Sequence, residues 1–262
     1  MGVLNVTPDS FSDGGRFSSS ATAIAAGVRM AEEGAALIDV GGESTRPGAE
    51  HIDADEELRR VIPVVEGLRG ATQAVISVDT SKPEVMRAAA RAGAELINDV
   101  RALRLPGALA AAAESGCAVC LMHMQGEPAT MQRAPQYADV IGEVRDFLAQ
   151  RLRAAREAGI HEGRLAVDPG FGFGKTLEHN LLLLRGLEAL TTLGVPLVVG
   201  LSRKSMLGTL TGRGAGERLY GSLALGVIAA LQGARIVRAH DVAATVDALK
   251  VVAAVQGVGM GG

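Results

Sequence analysis

Residues 168–175, DPGFGFGK, combine one carboxylate with three glycines and two phenylalanines, directly after the apolar run 165–167. The run is typical of a buried parallel strand, which places Asp168 at the strand's carboxyl end. Loops at that end of parallel strands hold the chemistry of α/β enzymes. The glycines carry no side chain and so favour close approach of a flat ligand to the backbone. The stretch therefore predicts an enzyme site.

Polar or ionisable side chains follow the other apolar runs in the same way: Asn5, Asp39, Asp79, Asn98 with Asp99, His123, residues 202–205, and Arg238 with His240. Each follows a run that is apolar enough to be buried, so solvation alone does not explain the pattern. Asp79, Asn98 and Asp168 offer acceptors and an amide, which suit the paired hydrogen bonds of a planar heterocycle.

A second group suits an anion: Asn5, Thr45, Arg46, Arg238 and His240. Guanidinium groups bind phosphate in a bidentate manner, and Asn5 can give an oxygen to a Mg²⁺ ion that is held mainly by phosphate and water. Residues 202–205 open a predicted helix, whose backbone N–H groups suit a carboxylate or phosphate. One ring, one phosphate and one further anion predict a two-substrate transfer.

Short apolar runs alternate with helical patterns along the whole chain, at residues 3–6, 36–40, 74–78, 95–98, 118–122, 165–167, 197–200 and 235–238. Eight such repeats in roughly 250 residues predict an α/β fold, a closed (β/α)8 TIM barrel. An open doubly wound sheet is the alternative. No linker or low-complexity segment interrupts the pattern, so residues 1–262 are predicted to form a single domain.

Local signals predict where individual helices begin and end. Ser20 predicts a start before the pattern at 21–33, and Pro83 fits the first turn of another helix. Helix ends are predicted by C-terminal glycines, at positions 34, 93, 116 and 159. The longest pattern covers about 138–158 and carries one apolar stripe.

The composition excludes several classes of partner. A formal net charge of −3 gives no electrostatic footprint for nucleic acid or an anionic membrane. No apolar run approaches the ~18 to 20 residues of a spanning helix, and the N-terminal residues do not fit a signal peptide. Two cysteines do not make a disulfide framework. We therefore expect a cytoplasmic protein.

The strand-end motifs together resemble the dihydropteroate synthase family of folate biosynthesis, whose members bind pterins. Residues 5–15, NVTPDSFSDGG, and 39–48, DVGGESTRPG, are similar to the family's two longest signatures. The remaining motifs follow in the family's order, at residues 77–80, 97–99, 122–126, 168–175, 202–205 and 238–241. The resemblance covers essentially the whole chain.

The resemblance implies an enzyme, a transferase that joins 4-aminobenzoate to 6-hydroxymethyl-7,8-dihydropterin diphosphate and releases pyrophosphate. It places substrate-binding or catalytic roles on matched positions. The pterin would contact Asp79, Asn98, Met122, Asp168, Gly200 and Lys204. The diphosphate would contact Thr45, Arg46, Arg238 and His240, with Mg²⁺ on Asn5. The aminobenzoate would lie near Thr45, Pro47, Phe173, Lys204 and Ser205.

The implied chemistry is an SN1-like cleavage of the C–O bond at the pterin methylene, without a protein nucleophile. Asp79 and Asp168 would favour the cation, while Lys204, Arg238 and His240 complete the catalytic set. Loops 7–17 and 44–52 are expected to be mobile and to close over the diphosphate. Family members are typically homodimers, and the late helices are the expected contact. A sulfonamide is expected to compete with 4-aminobenzoate.

Other interpretations of single residues remain open at the level of sequence. Lys175 resembles a P-loop lysine, but Pro169 stands where that motif needs its first glycine, so we interpret Lys175 as a loop or rim residue. Cys117 and Cys120 are expected to be core residues on opposite strand faces. Asp39 either contacts substrate or orients neighbouring side chains. Asp99 is expected to support residues of the site or to lie in a turn, and not to bind a ligand itself.

Two other functions share part of the pattern. A methyltetrahydrofolate:corrinoid methyltransferase would share the barrel and the pterin-binding acids, but it would lack the anion groups at 45–47 and 202–204. A non-catalytic pterin-binding protein would need a damaged diphosphate site, and the sequence shows no damage there.

Overall fold

The computed structural model describes residues 1–7, 16–44, 51–128 and 130–257, with the side chains of 16–19 left aside. The eight strands are β1 Gly2–Asn5, β2 Leu37–Gly41, β3 Val75–Asp79, β4 Leu96–Asp99, β5 Ala118–Met122, β6 Leu165–Asp168, β7 Val198–Gly200 and β8 Ile236–Arg238. The α-helices are α1 Arg16–Glu32, α2 Ala54–Ala71, α3 Pro83–Ala92, α4 Ala108–Ser115, α5 Val140–Glu157, α6 Leu177–Arg185, α7 Ser205–Thr211, α8 Leu219–Leu231 and α9 Val242–Val255. Strand and helix therefore alternate, with α8 as an extra helix before β8.

The strands close into a parallel barrel in chain order. Strands β1 to β6 form one continuous parallel sheet, and β7 pairs with β8. Two parallel bridges complete the circle, Val167 with Leu197 between β6 and β7, and Gly2 with Ala239 between β1 and β8. The predicted (β/α)8 barrel is confirmed, since an open sheet would leave both outer strands unpaired.

Apolar side chains pack in two layers, outside and inside the barrel wall. The larger cluster lies between strands and helices and includes Val119 and Leu121 of β5. Cys120, between them in sequence, instead packs inside the barrel with Leu96, Ala166 and Val198. Cys117 belongs to the outer cluster, which confirms that the two cysteines face opposite ways.

Most helix boundaries agree with the local signals. Pro83 is the first residue of α3, and Gly93 and Gly116 end α3 and α4 in the left-handed conformation. Helix α5 begins at Val140, where the Asp139 carboxylate accepts the N–H of Gly142, within two residues of the predicted start. The start predicted at Ser20 is wrong, because α1 already begins at Arg16. Serine opposes helix only moderately, so the helical backbone continues through that residue.

No helix in the described part of the chain is both long and apolar enough to cross a membrane.

The packing of strands and helices holds the eight strand ends at one rim of the barrel. Each strand is buried on the helix side, and its last residue lies where the chain turns outward into a loop. The rim is therefore where the polar strand-end residues come together.

Candidate active site

The ends of β1, β2 and β3 bring Asn5 and Asp79 to either side of Gly41. The three residues share one register across the sheet, Asn5 beside Gly41 and Gly41 beside Asp79. A Cβ atom on Gly41 would lie 3.6 Å from the Asp79 Cβ, 3.8 Å from Asn5 Oδ1 and 3.9 Å from Asp79 Oδ2. The glycine thus leaves space between one amide and one carboxylate oxygen.

Arg238, at the end of β8, links two carboxylates across the barrel. Its Nε donates to Asp39 Oδ2 at 2.6 Å, and its Nη2 donates to Asp79 Oδ2 at 3.0 Å. The Asn98 amide donates to Asp39 Oδ2 at 3.0 Å, and the Ser77 hydroxyl donates to Asp39 Oδ1 at 2.5 Å. Asp39 is completely buried. Of the two roles left open for Asp39, orientation of its neighbours is the one that this geometry supports.

Two carboxylates around one guanidinium shift the pKa values of this cluster. Burial and the charge of Asp39 raise the pKa of Asp79 to about 7, although Arg238 opposes the shift. Burial disfavours the charge on Arg238, yet Asp39 and Asp79 outweigh it and raise the pKa of that guanidinium. Asp79 therefore titrates in the neutral range, whereas Arg238 stays charged.

Asp168 ends β6 and is held by the turn that follows it. The Gly170 N–H donates to Asp168 Oδ1 at 2.7 Å, and the Asp168 backbone carbonyl accepts the N–H of His123 at 2.9 Å. Burial raises the pKa of the Asp168 carboxyl, while the Gly170 hydrogen bond and the charge of Lys204 oppose the rise. The side chain is 5 % exposed and points to the same rim as Asp79 and Asn98.

The glycines after Asp168 have a packing role that the sequence interpretation missed. Gly170, Gly172 and Gly174 have φ values of +68°, +77° and +62°. A Cβ at Gly170 would lie 1.8 Å from the His123 carbonyl oxygen, and one at Gly174 would lie 2.4 Å from that of Gln125. Because Gly170 and Gly174 have no side chain, the loop can pack on the segment after β5. This packing, and not the close approach of a ligand, is what requires glycine at these two positions.

Lys175 lies in the loop after β6, in line with its interpretation as a loop or rim residue, but its burial was not foreseen. It is 3 % exposed, and its Nζ lies 2.9 Å from His123 Nδ1. The same ammonium donates to the carbonyls of Gly170 at 2.9 Å and Phe173 at 3.2 Å. The loop thus folds back over its own lysine.

Phe173 and Lys204 meet on the other side of this loop. The Lys204 Nζ lies 4.2 Å from the centre of the Phe173 ring, and Phe173 packs on an apolar cluster of Val100, Met122, Met124 and Met131. Burial lowers the pKa of Lys204 to about 8, and Asp168 opposes that shift. Met122, Asp168, Phe173 and Lys204 therefore line one wall.

The loops after β7 and β8 are tied to each other. The His240 N–H donates to the Ser202 hydroxyl at 3.2 Å, and His240 Nδ1 lies 3.2 Å from the same oxygen. Gly200 pairs with Arg238 in the strand register. Ser205 begins α7, as residues 202–205 predict, and its side chain is exposed at the rim.

Comparison with known proteins places this arrangement in a family. The family model described as "Pterin binding enzyme" matches residues 1–240. The dihydropteroate synthase of Escherichia coli K12 is 56% identical over 254 residues, which cover 97% of this chain and 90% of that protein. The chain belongs to the dihydropteroate synthases. Its activity is that family's transferase activity in folate biosynthesis.

Solved dihydropteroate synthases have the same fold. A Xanthomonas albilineans enzyme with 4-aminobenzoic acid superposes with a TM-score of 0.93 at 57% identity, covering 98% of this chain and 93% of that one. A Yersinia pestis enzyme in complex with a sulfonamide drug gives a TM-score of 0.94 at 51% identity, covering 98% and 94%. The barrel described above is therefore the dihydropteroate synthase barrel.

Most residues matched to dihydropteroate synthase motifs come together at the rim: Asn5, Asp79, Asn98, Met122, Asp168, Phe173, Gly200, Lys204, Ser205, Arg238 and His240. Thr45, Arg46 and Pro47 lie outside the described residues, as do most of the two loops expected to close over the diphosphate. Asp99 is the last residue of β4, and its carboxylate accepts the N–H groups of Arg101 and Leu103 in the turn that follows.

Sequence reasoning missed one buried charge cluster beside the site, which we call the Lys82 cluster: Lys82, Glu43 and Glu57. The Lys82 Nζ lies 2.5 Å from a carboxylate oxygen of each glutamate. Glu57 is 1% exposed, and its Oε1 has no hydrogen-bond partner in the described structure. A signal existed, since Glu57 precedes Val61 by one helical turn on the buried stripe of α2.

Proposed function

We propose that this rim binds 6-hydroxymethyl-7,8-dihydropterin diphosphate and 4-aminobenzoate together and joins them with release of pyrophosphate. The observation that carries the proposal is the Arg238 bridge between Asp39 and Asp79. In this proposal Arg238 would supply a fixed cation for the diphosphate directly beside Asp79, the carboxylate for the pterin. The Xanthomonas albilineans relative, at 57% identity, has been solved with 4-aminobenzoic acid.

The pterin would be held by Asp79, Asn98 and Asp168. Carboxylates accept from the ring's amino and N–H groups, and the Asn98 amide adds a further polar contact. Asn98 is already oriented by Asp39, at 3.0 Å, so its position is fixed before substrate arrives. Lys204 would donate to a ring oxygen or nitrogen, with Met122 and Gly200 beside the ring.

The diphosphate would bind at the cationic side of the rim. Arg238 uses Nε and Nη2 for its two carboxylates, which leaves Nη1 to meet an anion. His240 follows two residues later, and Thr45 and Arg46 are the further contacts expected from the sequence. Positive charge at this point lowers the barrier to departure of the pyrophosphate.

The proposed magnesium ion would be held at Asn5, next to the position where Gly41 lacks a side chain. The oxygens Asn5 Oδ1 and Asp79 Oδ2 both border the position where Gly41 lacks a side chain. Oxygen ligands suit Mg²⁺, and the described residues contain no group of three or more His, Cys, Asp or Glu placed to hold a metal. The ion would therefore be held largely by the diphosphate and water. When bound, it would neutralise charge on the leaving group.

Cleavage of the C–O bond at the pterin methylene would precede attack by the amine of 4-aminobenzoate. The bond's electron pair leaves with pyrophosphate, and the carboxylates of Asp79 and Asp168 favour the resulting pterin cation. The neutral amine then forms the C–N bond and loses a proton. Phe173 and Pro47 would hold the aminobenzoate ring, and its carboxylate would lie near Lys204, Ser205 and Thr45.

We also propose that the protein works in the cytoplasm as a homodimer. The exposed apolar side chains of the late helices support this assembly, among them Tyr220 and Leu231 of α8 and Val251 and Val255 of α9. Exposed apolar side chains on two helices that pack on each other are consistent with a contact between subunits.

The deciding experiment mixes the protein with the pterin diphosphate, 4-aminobenzoate and Mg²⁺ and measures pyrophosphate. We expect release that depends on 4-aminobenzoate, forms dihydropteroate in equal amount, stops with EDTA and is inhibited by a sulfonamide in competition with 4-aminobenzoate. Pterin binding without pyrophosphate release would instead support a binding protein. Methyl transfer from methyltetrahydrofolate to a corrinoid would support the methyltransferase.

A further inference from the structure

Lys175 is a buried cation that the proposed reaction does not use. It is 3 % exposed, and each of its three N–H groups has one acceptor within 3.2 Å: His123 Nδ1, the Gly170 carbonyl and the Phe173 carbonyl. Burial lowers the pKa of Lys175 to about 7, and the charge of Asp168 opposes the shift. Burying an ammonium group costs the free energy of its hydration, which indicates that the hydrogen bonds of Lys175 have a structural role.

The acceptors show what the ammonium holds in place. Gly170 and Phe173 belong to the loop after β6, and His123 is the first residue after β5. Burial lowers the pKa of His123 to about 2, so its ring is neutral and Nδ1 can accept a hydrogen bond. Lys175 therefore binds the carbonyls at both ends of residues 170–173 and links them to His123, after β5.

Lys175 affects the site through its hydrogen bond to Phe173. The Phe173 carbonyl is bound by Lys175, while the Phe173 ring packs on Met122, Met124 and Met131 and lies 4.2 Å from the Lys204 Nζ. The position of Asp168 depends less on Lys175, because the β5–β6 pairing and the Gly170 N–H also hold it, although the charge of Lys175 acts on its carboxyl group. Loss of Lys175 should therefore disturb the wall at Phe173 more than the acid at 168.

We propose that Lys175 is a positioning residue for the second substrate, which fixes the Phe173 ring against which 4-aminobenzoate binds. The proposal rests on the proposed function, since that function places the aminobenzoate at Phe173. It assigns Lys175 no contact with either substrate. Its effect is expected in the affinity for 4-aminobenzoate and not in the chemical step.

The test is Lys175→Met, which keeps an unbranched side chain only one atom shorter and removes the three N–H donors. We expect the KM for 4-aminobenzoate to rise on the order of tenfold, as loss of charged hydrogen bonds would produce. The kcat and the Kd of the pterin should change less than about threefold. The Kd of 4-aminobenzoate, measured with pterin and pyrophosphate present, gives a readout that does not need turnover.

Two variants serve as matched controls. Tyr137→Phe removes one hydrogen bond to the same loop, from the hydroxyl to the Gly174 carbonyl at 2.9 Å, and should change the KM less than Lys175→Met. Lys250→Met removes a lysine whose side chain is 73% exposed on α9, and it should change nothing. An unchanged KM and Kd for 4-aminobenzoate in folded Lys175→Met would overturn the proposal, as would an equal loss of pterin affinity.

A second variant decides the matter if Lys175→Met does not fold. His123→Leu removes one acceptor and leaves the lysine bound to both loop carbonyls, so a smaller rise in the same KM and Kd is expected. No rise in this variant would also overturn the proposal. Failure of the proposed function has a different signature, because the unmodified protein would then release no pyrophosphate at all.

Discussion

At the scale of single residues, two carboxylates of the site share one cation. Asp39 and Asp79 share the one guanidinium of Arg238, and Asp39 takes the shorter contact, 2.6 Å against 3.0 Å. Asp39 also receives hydrogen bonds from Ser77 and Asn98. Asp79 has a raised pKa, and it is also the acid that faces the proposed pterin position.

The Asp79→Asn variant should keep the fold and lose turnover. The amide can still accept from Arg238 but carries no charge to favour the pterin cation, so we expect kcat to fall roughly 10²–10³-fold. Circular dichroism and the thermal midpoint check the fold, and pyrophosphate release measures the rate. A kcat within threefold of the unmodified protein would contradict the role given to Asp79.

The same acid should set the pH dependence of the reaction. Because burial and Asp39 raise the pKa of Asp79 to about 7, its carboxylate is lost as pH falls through that value. We expect kcat/KM for the pterin diphosphate to fall on the acid side with a midpoint near 7. The pH profile of Asp79→Asn should lack this acid limb, but it should still show any pH dependence that comes from ionisation of the substrate. An identical acid limb in both proteins would assign the limb to the substrate.

At the scale of elements, neighbouring βα loops hold one another in place. The loop after β6 packs on the segment after β5 through Gly170 and Gly174, and Lys175 adds hydrogen bonds between the same two loops. On the opposite side, Lys82 before α3 joins Glu43 after β2 to Glu57 of α2. These contacts link the loops of the rim in pairs. We call the contacts between the loops after β5 and β6 the first brace, and the Lys82 cluster the second brace.

Gly170→Ala tests the first brace. The residue has φ +68°, and the new Cβ would lie 1.8 Å from the His123 carbonyl oxygen, so the loop must move. Backbone strain alone costs about 1–3 kcal/mol, and the clash adds to it. Urea unfolding should show the loss of stability. Gly70→Ala is the control, since Gly70 lies in α2 with nothing within 4 Å, and it should gain roughly 0.5–1 kcal/mol.

Lys82→Met tests the second brace. It leaves the buried Glu57 carboxylate without its cation, which costs about 3–5 kcal/mol of unfolding free energy in such cases. The double variant Lys82→Met with Glu57→Leu should recover most of the loss, because apolar side chains can replace a buried ion pair. Arg87→Met breaks the exposed pair with Glu114 and should have a much smaller effect. Equal effects of the Lys82 and Arg87 variants would argue against a buried ion cluster.

At the scale of the whole molecule, the barrel and its rim follow from a repeated pattern that sequence shows directly. Apolar runs followed by polar residues predicted all eight strands and the gathering of Asp79, Asn98, Asp168 and Arg238. The braces could not be predicted in this way, because they depend on contacts between loops that are distant in sequence. The sequence indicates only a loop or rim position for Lys175, since nothing local shows that its neighbours fold back over it.

The late helices carry the last prediction, which concerns assembly. Leu231 of α8 is 53% exposed, and Val251 and Val255 of α9 are 64% and 78% exposed. Helices α8 and α9 also pack on each other, so these side chains belong to one pair of helices on the outside of the barrel. A stable dimer would need to bury about 1,200–2,000 Å² in total, and apolar side chains at its centre contribute most of the energy.

We therefore expect the unmodified protein to sediment as a dimer at micromolar concentration. Leu231→Glu and Val251→Glu, tested singly, should shift it toward monomer, because a charge buried in an apolar contact lacks a partner. Lys250→Glu, next to Val251 but 73% exposed in its side chain, changes charge without removing apolar area and should weaken the dimer less. A monomeric unmodified protein, or dimers in all three variants, would place the contact elsewhere or remove it.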